Sequence, residues 1–375
     1  MTSTASLTVG IVLLSYAENA PAGLERSLAS LRQGLRELGH RAVIVTTAGN
    51  IAGDDPDLLP LTSVTVPVPA TEEELLAALA DPKPACTELT GLLARERVDI
   101  VCWADASWGM GYLAPVPPGV RSALRVAVMR TDPLFRQALD RRPDAVLTPS
   151  PYMIAEAAAA GYDTTAWHQV PNALLTGGQP PDHERREQLR RTGPVRIVTR
   201  AEPHKGILEL IQAVPAGLGR SVEIVLAAAG FEYWPGMQDA VLAQCREAAG
   251  HAPADVRILP PLPWQEVTDF FACAALTIIS TTSPESWCNA AAEALSAGTP
   301  VVGYDFGHVP VLAGPAGVMV TPAPSGEPAT TLWSAATGLL NDPIAYHAAS
   351  RQAPAQVAGH TPYASAQAFL ASFGL

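Results

Sequence analysis

Short apolar runs alternate with amphipathic stretches along most of this chain. The apolar run 7–14 is followed by leucines at helical spacing over 24–38, and then by the β-branched run 42–47. A helical period between two short apolar runs predicts a strand, a helix and a second strand. Strands that are apolar almost throughout are typical of a parallel sheet with helices on both faces. The pattern therefore predicts an α/β fold.

Two blocks of this alternation are separated by a polar segment, 174–194, which is typical of a linker. The first block is predicted to hold helices at 72–79 and 87–96 and strands at 99–103, 125–129 and 145–148. The second block is predicted to hold strands at 195–199, 222–228, 256–259, 275–280 and 301–304, and helices at 207–213, 237–248, 264–272 and 289–297. We therefore predict an N-terminal domain over 1–173, a C-terminal domain over 195–360 and a last helix over 361–375.

Charge and cysteine content narrow the class of partner. The chain has 375 residues, 48% of them hydrophobic, so it is long enough for two domains with separate cores. Its formal net charge of −12 argues against a nucleic-acid partner, which needs a basic face.

The five cysteines have no C-x-x-C or metal-ligand spacing, which is typical of a reduced, cytoplasmic protein. The N-terminal apolar run lacks a basic flank, so we interpret it as a strand rather than a signal peptide.

The first candidate for ligand binding is the segment TRAEPHKG, residues 199–206. Neither a G-x-G-x-x-G loop nor a G-x-x-x-x-G-K-S/T loop follows a predicted strand, so NAD binding and ATP hydrolysis lose their usual sequence support. The segment instead places Arg200 and Lys205 between a strand end and a helix start, where two cations form an anion site. An ordinary solvated loop is the alternative.

The second candidate is the segment SPESWCNAAAEALSAGTPVV, residues 283–302, which carries Glu285 and Glu293. In one continuous helix their offset would rotate the two side chains by about 80°, so a shared ligand requires Glu285 to lie on a loop before the helix. Pro284 favours such a loop. Small residues over 289–292 would let a ligand approach the backbone. Otherwise Glu285 is a first-turn acid and Glu293 a solvated helix residue.

Together these segments resemble the retaining glycosyltransferases of family 4, the glycogen-synthase-like proteins with GT-B architecture. GLERSLASLRQGLRELGHRAVIVTT resembles the family's glycine-loop helix, and HQVPNALL resembles the turn that closes its first domain. TRAEPHKGILELIQA is similar to its Arg-x-x-x-x-Lys-Gly loop, and PESWCNAAAEALSAGTPVV carries its two spaced glutamates. The resemblance implies two Rossmann-like domains whose parallel sheets face each other across a deep cleft, with the acceptor side first and the donor side second. It also implies a C-terminal helix that returns to the N-terminal domain.

The resemblance further implies a role for each motif residue. Arg200 and Lys205 would hold the donor diphosphate and stabilise the leaving group, and Glu285 would contact the donor sugar. Glu293 would accept hydrogen bonds from the ribose hydroxyls. Further donor contacts would come from Gly23, Trp287, Cys288, Asn289 and Ala290. The implied mechanism is front-face attack with retention, which needs neither a metal nor a cofactor. The acidic run 54–57 could suggest a metal site, but we interpret it as a solvated turn.

Departures from the family pattern leave the acceptor open. The run Arg130-Thr131-Asp132 stands where the family has a histidine. Ala22-Gly23 replaces the family's paired glycines in the first domain, and Gly307-His308 replaces a Gly-Gly pair in the second. Four residues that follow strand ends of the first domain are candidates for the acceptor side, namely Asp105, Trp108, Arg130 and Asp132. For each of these four, loop or core packing is the alternative, and for His308 the alternative is a surface position.

The sequence thus predicts an enzyme that moves a sugar from a nucleoside-diphosphate donor, UDP- or GDP-sugar in the first place, to a small soluble acceptor. The Ala-, Arg- and Pro-rich composition is typical of a GC-rich bacterial genome, which suggests natural-product, thiol or saccharide biosynthesis. Without a basic amphipathic helix, no membrane partner is expected. A GT-B nucleotide-sugar epimerase and a non-catalytic nucleotide-sugar-binding protein are the alternatives. The oligomeric state stays open, with a homodimer as one candidate.

Overall fold

The structure is a computed structural model that describes residues 6–17, 23–50, 54–128, 130–322 and 328–375. Its strands are β1 Thr8–Val12, β2 Arg41–Thr47, β3 Leu58–Leu61, β4 Ile100–Trp103, β5 Arg121–Arg125, β6 Ala145–Thr148, β7 Trp167–Gln169, β8 Val195–Arg200, β9 Val222–Ala227, β10 Val256–Leu259, β11 Thr277–Ile279, β12 Val301–Tyr304 and β13 Gly317–Val320. Its helices are α1 Gly23–Glu37, α2 Glu72–Ala78, α3 Lys83–Arg95, α4 Pro133–Asp140, α5 Pro151–Ala159, α6 His183–Thr192, α7 Ile207–Gln212, α8 Met237–His251, α9 Val267–Ala272, α10 Asn289–Ser296, α11 Val309–Ala313, α12 Pro328–Asn341, α13 Pro343–Val357 and α14 Pro362–Ala371.

The first half of the chain forms a parallel sheet in the order β3-β2-β1-β4-β5-β6-β7. Val12 at the end of β1 pairs with Val45 of β2 and Trp103 of β4, so the carboxyl ends of the strands meet at one edge. The central strands are buried because helices cover both faces of the sheet. The strand order reverses between β1 and β4, and open α/β sheets bind ligands outside the carboxyl ends at such a point.

The second half repeats this arrangement with two three-stranded parallel sheets, β10-β9-β8 and β11-β12-β13. The bridge between Val195 and Leu276 joins β8 to the segment before β11, so the two sheets continue each other. The strand order reverses here as well, between β8 and β11. The alternating two-domain α/β architecture predicted from the sequence is thereby confirmed, and the carboxyl end of β8 is the expected ligand edge.

The strand predicted at 125–129 is wrong. β5 instead covers Arg121–Arg125, where Arg121 pairs with Ile100 and Leu124 with Trp103. The prediction followed the apolar run after Arg125, but Val128 in that run is exposed and Met129 lies outside the described residues. The more polar segment lies in the sheet because its Ala123 and Leu124 are buried between β4 and β6, which pair with it on either side.

The polar segment 174–194 is partly helical, since it contains α6. Arg186 of this helix is buried and donates to the carbonyl oxygens of Ala274 and Ala297 at 2.8 and 2.9 Å. Ala297 ends α10, so the arginine satisfies a carbonyl that has no partner within its own helix. The charge that makes this segment look like a solvated linker thus fixes α6 to the C-terminal half.

The last helix, α14, packs on α1 of the first half. Ala366, Phe369 and Leu370 are buried in the same core cluster as the first sheet. The two backbones approach closely at Gly34, where an added Cβ would lie 1.9 Å from the carbonyl oxygen of Pro362. A glycine on α1 is therefore a condition for this contact.

Candidate functional site

The loop after β8 is held against the end of β11. A 3₁₀ turn over Pro203–Lys205 ends at Gly206, whose φ of +65° favours glycine. A Cβ on Gly206 would lie 2.3 Å from the carbonyl oxygen of Ser280, and the Ser280 hydroxyl donates to the Lys205 carbonyl at 2.7 Å. The backbone around Lys205 is therefore rigidly placed at the carboxyl edge of the sheet.

The structure brings Lys205 and Glu285 together as an ion pair. The Lys205 Nζ donates to the Glu285 Oε1 at 2.5 Å, and both side chains are largely buried. Burial alone would raise the pKa of the Glu285 carboxyl, but Lys205 and Arg200 hold it below its usual range. Glu285 is thus ionised at neutral pH, and it holds the Lys205 ammonium group beside it in a fixed orientation.

Arg200 has an acidic partner that the sequence reading missed. Its guanidinium lies 2.6 Å from Glu202, a carboxylate that is only 2% exposed. Burial raises the pKa of Glu202, and Arg200 and Lys205 oppose this effect. Burial, with Lys205 and Arg200 nearby, lowers the pKa of His204 to about 4, so this imidazole is neutral at pH 7. The carboxylate could have been noticed in TRAEPHKG, where it stands between the two cations.

Glu285 lies on a loop before α10, as a shared ligand site required. The loop is fixed by the backbone N–H of His308, which donates to the Glu285 carbonyl at 2.9 Å. Trp287 stacks on His308 at 5.2 Å between ring centroids. The surface position considered for His308 is wrong because its side chain is buried under Trp287, and burial lowers its pKa to about 4. Gly307 permits this packing, since a Cβ there would lie 2.7 Å from the Glu285 backbone nitrogen.

The start of α10 is strained and faces the first half of the chain. Cys288 precedes the helix with a φ of +80°, which is rare for a residue other than glycine and is typical of ligand sites. Burial raises the pKa of its thiol to about 12, so the thiol is not a nucleophile at neutral pH. Asn289 donates to the carbonyl oxygen of Gly23 at 3.0 Å and accepts from Asn172 at 3.2 Å. Gly23 of α1 and Asn289 of α10 are therefore brought together, and Ala290 follows Asn289 on α10.

Glu293 is not the solvated residue considered as an alternative, because its side chain is only 10% exposed. Its Oε1 accepts a hydrogen bond from Arg26 on α1. Its Oε2 is buried and has no hydrogen-bond partner among the described residues. A buried carboxylate oxygen without a donor is unusual, and it marks a place for a hydroxyl group of a ligand or a water molecule.

The four candidates for the acceptor side form one cluster, but most of their polar groups have partners in the protein. Asp105 accepts from the backbone of Ser107 at 2.9 Å, and the Asp132 side chain caps α4. Arg130 is paired with Asp132 at 2.5 Å and with Glu72 at 2.7 Å. These contacts hold the loops above the first sheet. They favour positioning roles over direct recognition for three of the four residues.

The fourth candidate, Trp108, meets a segment that the sequence reading missed. Its ring lies 5.8 Å from that of Phe231, which follows β9 in the second half of the chain. Ala70 and Phe231 form a parallel bridge in which Ala70 donates to Gly230 at 3.1 Å. The exposed Tyr233 continues this segment and lies 5.8 Å from His204. No charge or motif in AAAGFEYW signals a contact between the two halves.

The acidic run 54–57 forms ion pairs with arginines. Asp55 accepts from Arg32 at 2.7 Å, and Asp57 accepts from Arg36 at 2.6 Å and from Arg41 at 2.9 Å. Within the described ranges, no group of three or more His, Cys, Asp or Glu residues is arranged to hold a metal ion. All five cysteines are free. In the part of the chain that the structure describes, no helix is both long and apolar enough to cross a membrane.

Two Rossmann-like halves with parallel sheets, and a set of cations and carboxylates at the carboxyl edge of the second half, are the arrangement of the GT-B fold. The chain belongs to the glycosyltransferases: the family model of the glycosyl transferases group 1 matches residues 195–342. A Glycosyl transferase 4-like domain model matches residues 22–173, so the two models together cover most of the chain. No curated protein sequence matches the chain at a significant level. The class of enzyme predicted from the sequence is thereby confirmed.

Solved structures of glycosyltransferases share the whole fold. Sucrose-phosphate synthase from Thermosynechococcus elongatus superimposes with a TM-score of 0.76 at 15% identity, over 98% of each chain. HepE from Anabaena, in complex with UDP and glucose, gives a TM-score of 0.73 at 17% identity, over 98% of this chain and 99% of that chain. AviGT4, a glycosyltransferase involved in avilamycin A biosynthesis, gives 0.59 at 19% identity, over 98% and 97%. At these identities the likeness establishes the GT-B fold.

Proposed function

We propose that this glycosyltransferase takes its sugar from a nucleoside-diphosphate donor, with UDP- or GDP-sugar as the first candidates, and that it retains the anomeric configuration. The observation that carries the proposal is the convergence of Arg200, Lys205 and Glu285 at the carboxyl edge of the second sheet. The overall charge of the protein is negative, so a bound diphosphate has to be held by local cations such as these. The bound UDP of HepE, a neighbour in fold, supports the same class of donor.

The chemistry follows from the placement of charge. As the bond from the anomeric carbon to the phosphate oxygen breaks, negative charge grows on the leaving diphosphate, where Arg200 and Lys205 stabilise it. Glu285 orients Lys205 and contacts the donor sugar. The acceptor attacks from the same face, and the departing phosphate oxygen takes the acceptor's proton. Glu293 accepts hydrogen bonds from the ribose. Because the acceptor attacks the anomeric carbon directly, no carboxylate has to act as a nucleophile.

The acceptor in this proposal is a small soluble molecule that enters from the first-domain side. The loops that carry Asp105, Trp108, Arg130 and Asp132 form that side of the cleft. The involvement of AviGT4 in avilamycin A biosynthesis supports a natural-product acceptor, beside the saccharide and thiol classes suggested by composition. An epimerase or a non-catalytic binding protein is less well supported, because the family models that match are those of glycosyltransferases.

Transfer is expected to keep the anomeric configuration of the donor. Attack from the face that the diphosphate leaves gives this result without a covalent intermediate. Proton NMR coupling constants of fresh product, formed from UDP- or GDP-sugars with a panel of acceptors, measure the configuration before it equilibrates. An inverted product would refute the front-face mechanism. Release of an epimerised sugar, no longer joined to the nucleoside diphosphate, in place of a glycoside would favour the epimerase.

Transfer is also expected to continue when divalent metals are chelated. Two fixed side-chain cations, Arg200 and Lys205, supply the positive charge that a metal would otherwise bring to the diphosphate. Initial rates in EDTA should equal those in buffer with added Mg²⁺ or Mn²⁺. Complete loss of activity in EDTA that is restored by adding back metal would show that these cations are not sufficient.

A further inference from the structure

Arg26 joins the two halves of the chain at the carboxylate assigned to the ribose. Its Nη1 donates to Oε1 of Glu293, from the first turn of α1 to the middle of α10. The two side chains are only 11% and 10% exposed. An ion pair so far removed from water differs from an ordinary surface pair, because losing one partner leaves the other charge buried and unpaired.

The pair is incomplete, and the residues that carry the unsatisfied atoms line a small cavity. Arg26, Glu293 and Trp264 all line this cavity, together with the chain at 173–176. Each of the three has a buried polar atom without a hydrogen-bond partner among the described residues: Nε of Arg26, Oε2 of Glu293 and Nε1 of Trp264. These atoms are one acceptor and two donors, and since buried polar atoms are normally hydrogen-bonded, each is a place for a polar group such as a hydroxyl.

We propose that Arg26 is a positioning residue of the donor site, which holds Glu293 so that its free oxygen accepts a ribose hydroxyl. The first domain then contributes a side chain to donor binding, in addition to the donor contact expected at Gly23. The inference rests on the proposed function, because it takes the bound group to be the ribose of a nucleoside diphosphate. Its new element is the arginine from the opposite domain.

One further contact between α1 and α10, and the charge of Arg26, support this role. Asn289, one turn before Glu293 on α10, donates to the carbonyl oxygen of Gly23 at the start of α1. Burial raises the pKa of Glu293, and Arg26 opposes this effect. Arg26 therefore opposes protonation of the carboxylate as well as holding it in place. A neutral residue would do neither, whereas lysine would keep the charge.

The test compares ribonucleotides with their deoxy counterparts. UDP and GDP, each with its 2′-deoxy and 3′-deoxy analogue, are titrated calorimetrically into wild type, Arg26→Ala, Arg26→Lys and Glu293→Ala. Wild type should prefer the ribonucleotide over at least one analogue by about tenfold or more, the effect of one hydrogen bond to a charged group. Arg26→Ala should weaken the ribonucleotide about tenfold and the analogue little, so that the preference disappears, and Arg26→Lys should restore part of it.

The control variant is Arg36→Ala, which removes another arginine of α1 that is 43% exposed and paired with Asp57. It should bind all nucleotides as wild type does. If Arg26→Ala weakens ribonucleotide and analogue equally, or neither, Arg26 does not act through the ribose and the inference is overturned. If wild type binds no nucleoside diphosphate, or if Glu293→Ala leaves binding unchanged, the donor assignment itself fails and the inference fails with it.

Discussion

Replacing Lys205 by alanine is expected to lower kcat about 10²–10³-fold at saturating donor, with a smaller change in KM. The lysine meets charge that grows as the diphosphate leaves, so its contact is stronger in the transition state than in the bound donor. Steady-state rates with varied donor separate the two parameters. The ion pair with Glu285 is the physical basis, because it fixes the ammonium group before the reaction starts.

Companion variants sharpen this result. Glu293→Ala should mainly raise KM, since a ribose contact is equally strong in the ground and transition states. Arg200→Ala should resemble Lys205→Ala, and the double variant should lose less than the product of the single effects if both cations act on one diphosphate.

Lys83→Ala, which removes an exposed lysine at the start of α3, is the matched control and should leave kcat unchanged. A near-native kcat for Lys205→Ala would refute its assignment as the catalytic cation.

Replacing Gly34 by alanine is expected to destabilise the protein by about 1–3 kcal/mol, the usual cost of overpacking. The added methyl would lie 1.9 Å from the carbonyl oxygen of Pro362, so α1 and α14 must move apart. Urea unfolding followed by circular dichroism measures the change.

Gly91→Ala is the matched control for this prediction. Gly91 lies on an exposed face of α3 and has no heavy atom within 4 Å of an added Cβ. Alanine there removes a helix-breaking residue and should be neutral or stabilising by up to about 1 kcal/mol. An unfolding midpoint of Gly34→Ala equal to that of wild type would mean that the close approach of α14 is not required.

The fold could be predicted where one face of an element is clearly apolar. Strands β6, β10 and β12 have the predicted bounds, because their apolar runs are short and end at turns. The strand after β4 was misplaced because β5 carries an arginine at each end and the apolar residues follow it. Helix α6 was missed because its charged residues make contacts with distant carbonyls that no local pattern reveals.

The candidate site shows the same division between local and distant information. Arg200, Lys205, Glu285 and Glu293 were found because each stands in a spaced motif of the second half. Contacts between the two halves were not found, since Arg26 is 267 positions from Glu293 and Phe231, the partner of Trp108, belongs to an unremarkable apolar segment. Pairings across the cleft depend on how two domains meet, and a single sequence carries no periodic signal for that.

The return of α14 to the first domain has a consequence for synthesis of the chain. Phe369 and Leu370, which complete the core beside α1, are translated only after the whole second domain. At 5–20 residues per second, the interval between the end of α1 and the start of α14 is roughly 16–65 s. During that time the nascent first domain exposes the α1 surface that α14 later covers. Nascent chains of this enzyme should therefore engage chaperones at that surface until translation ends.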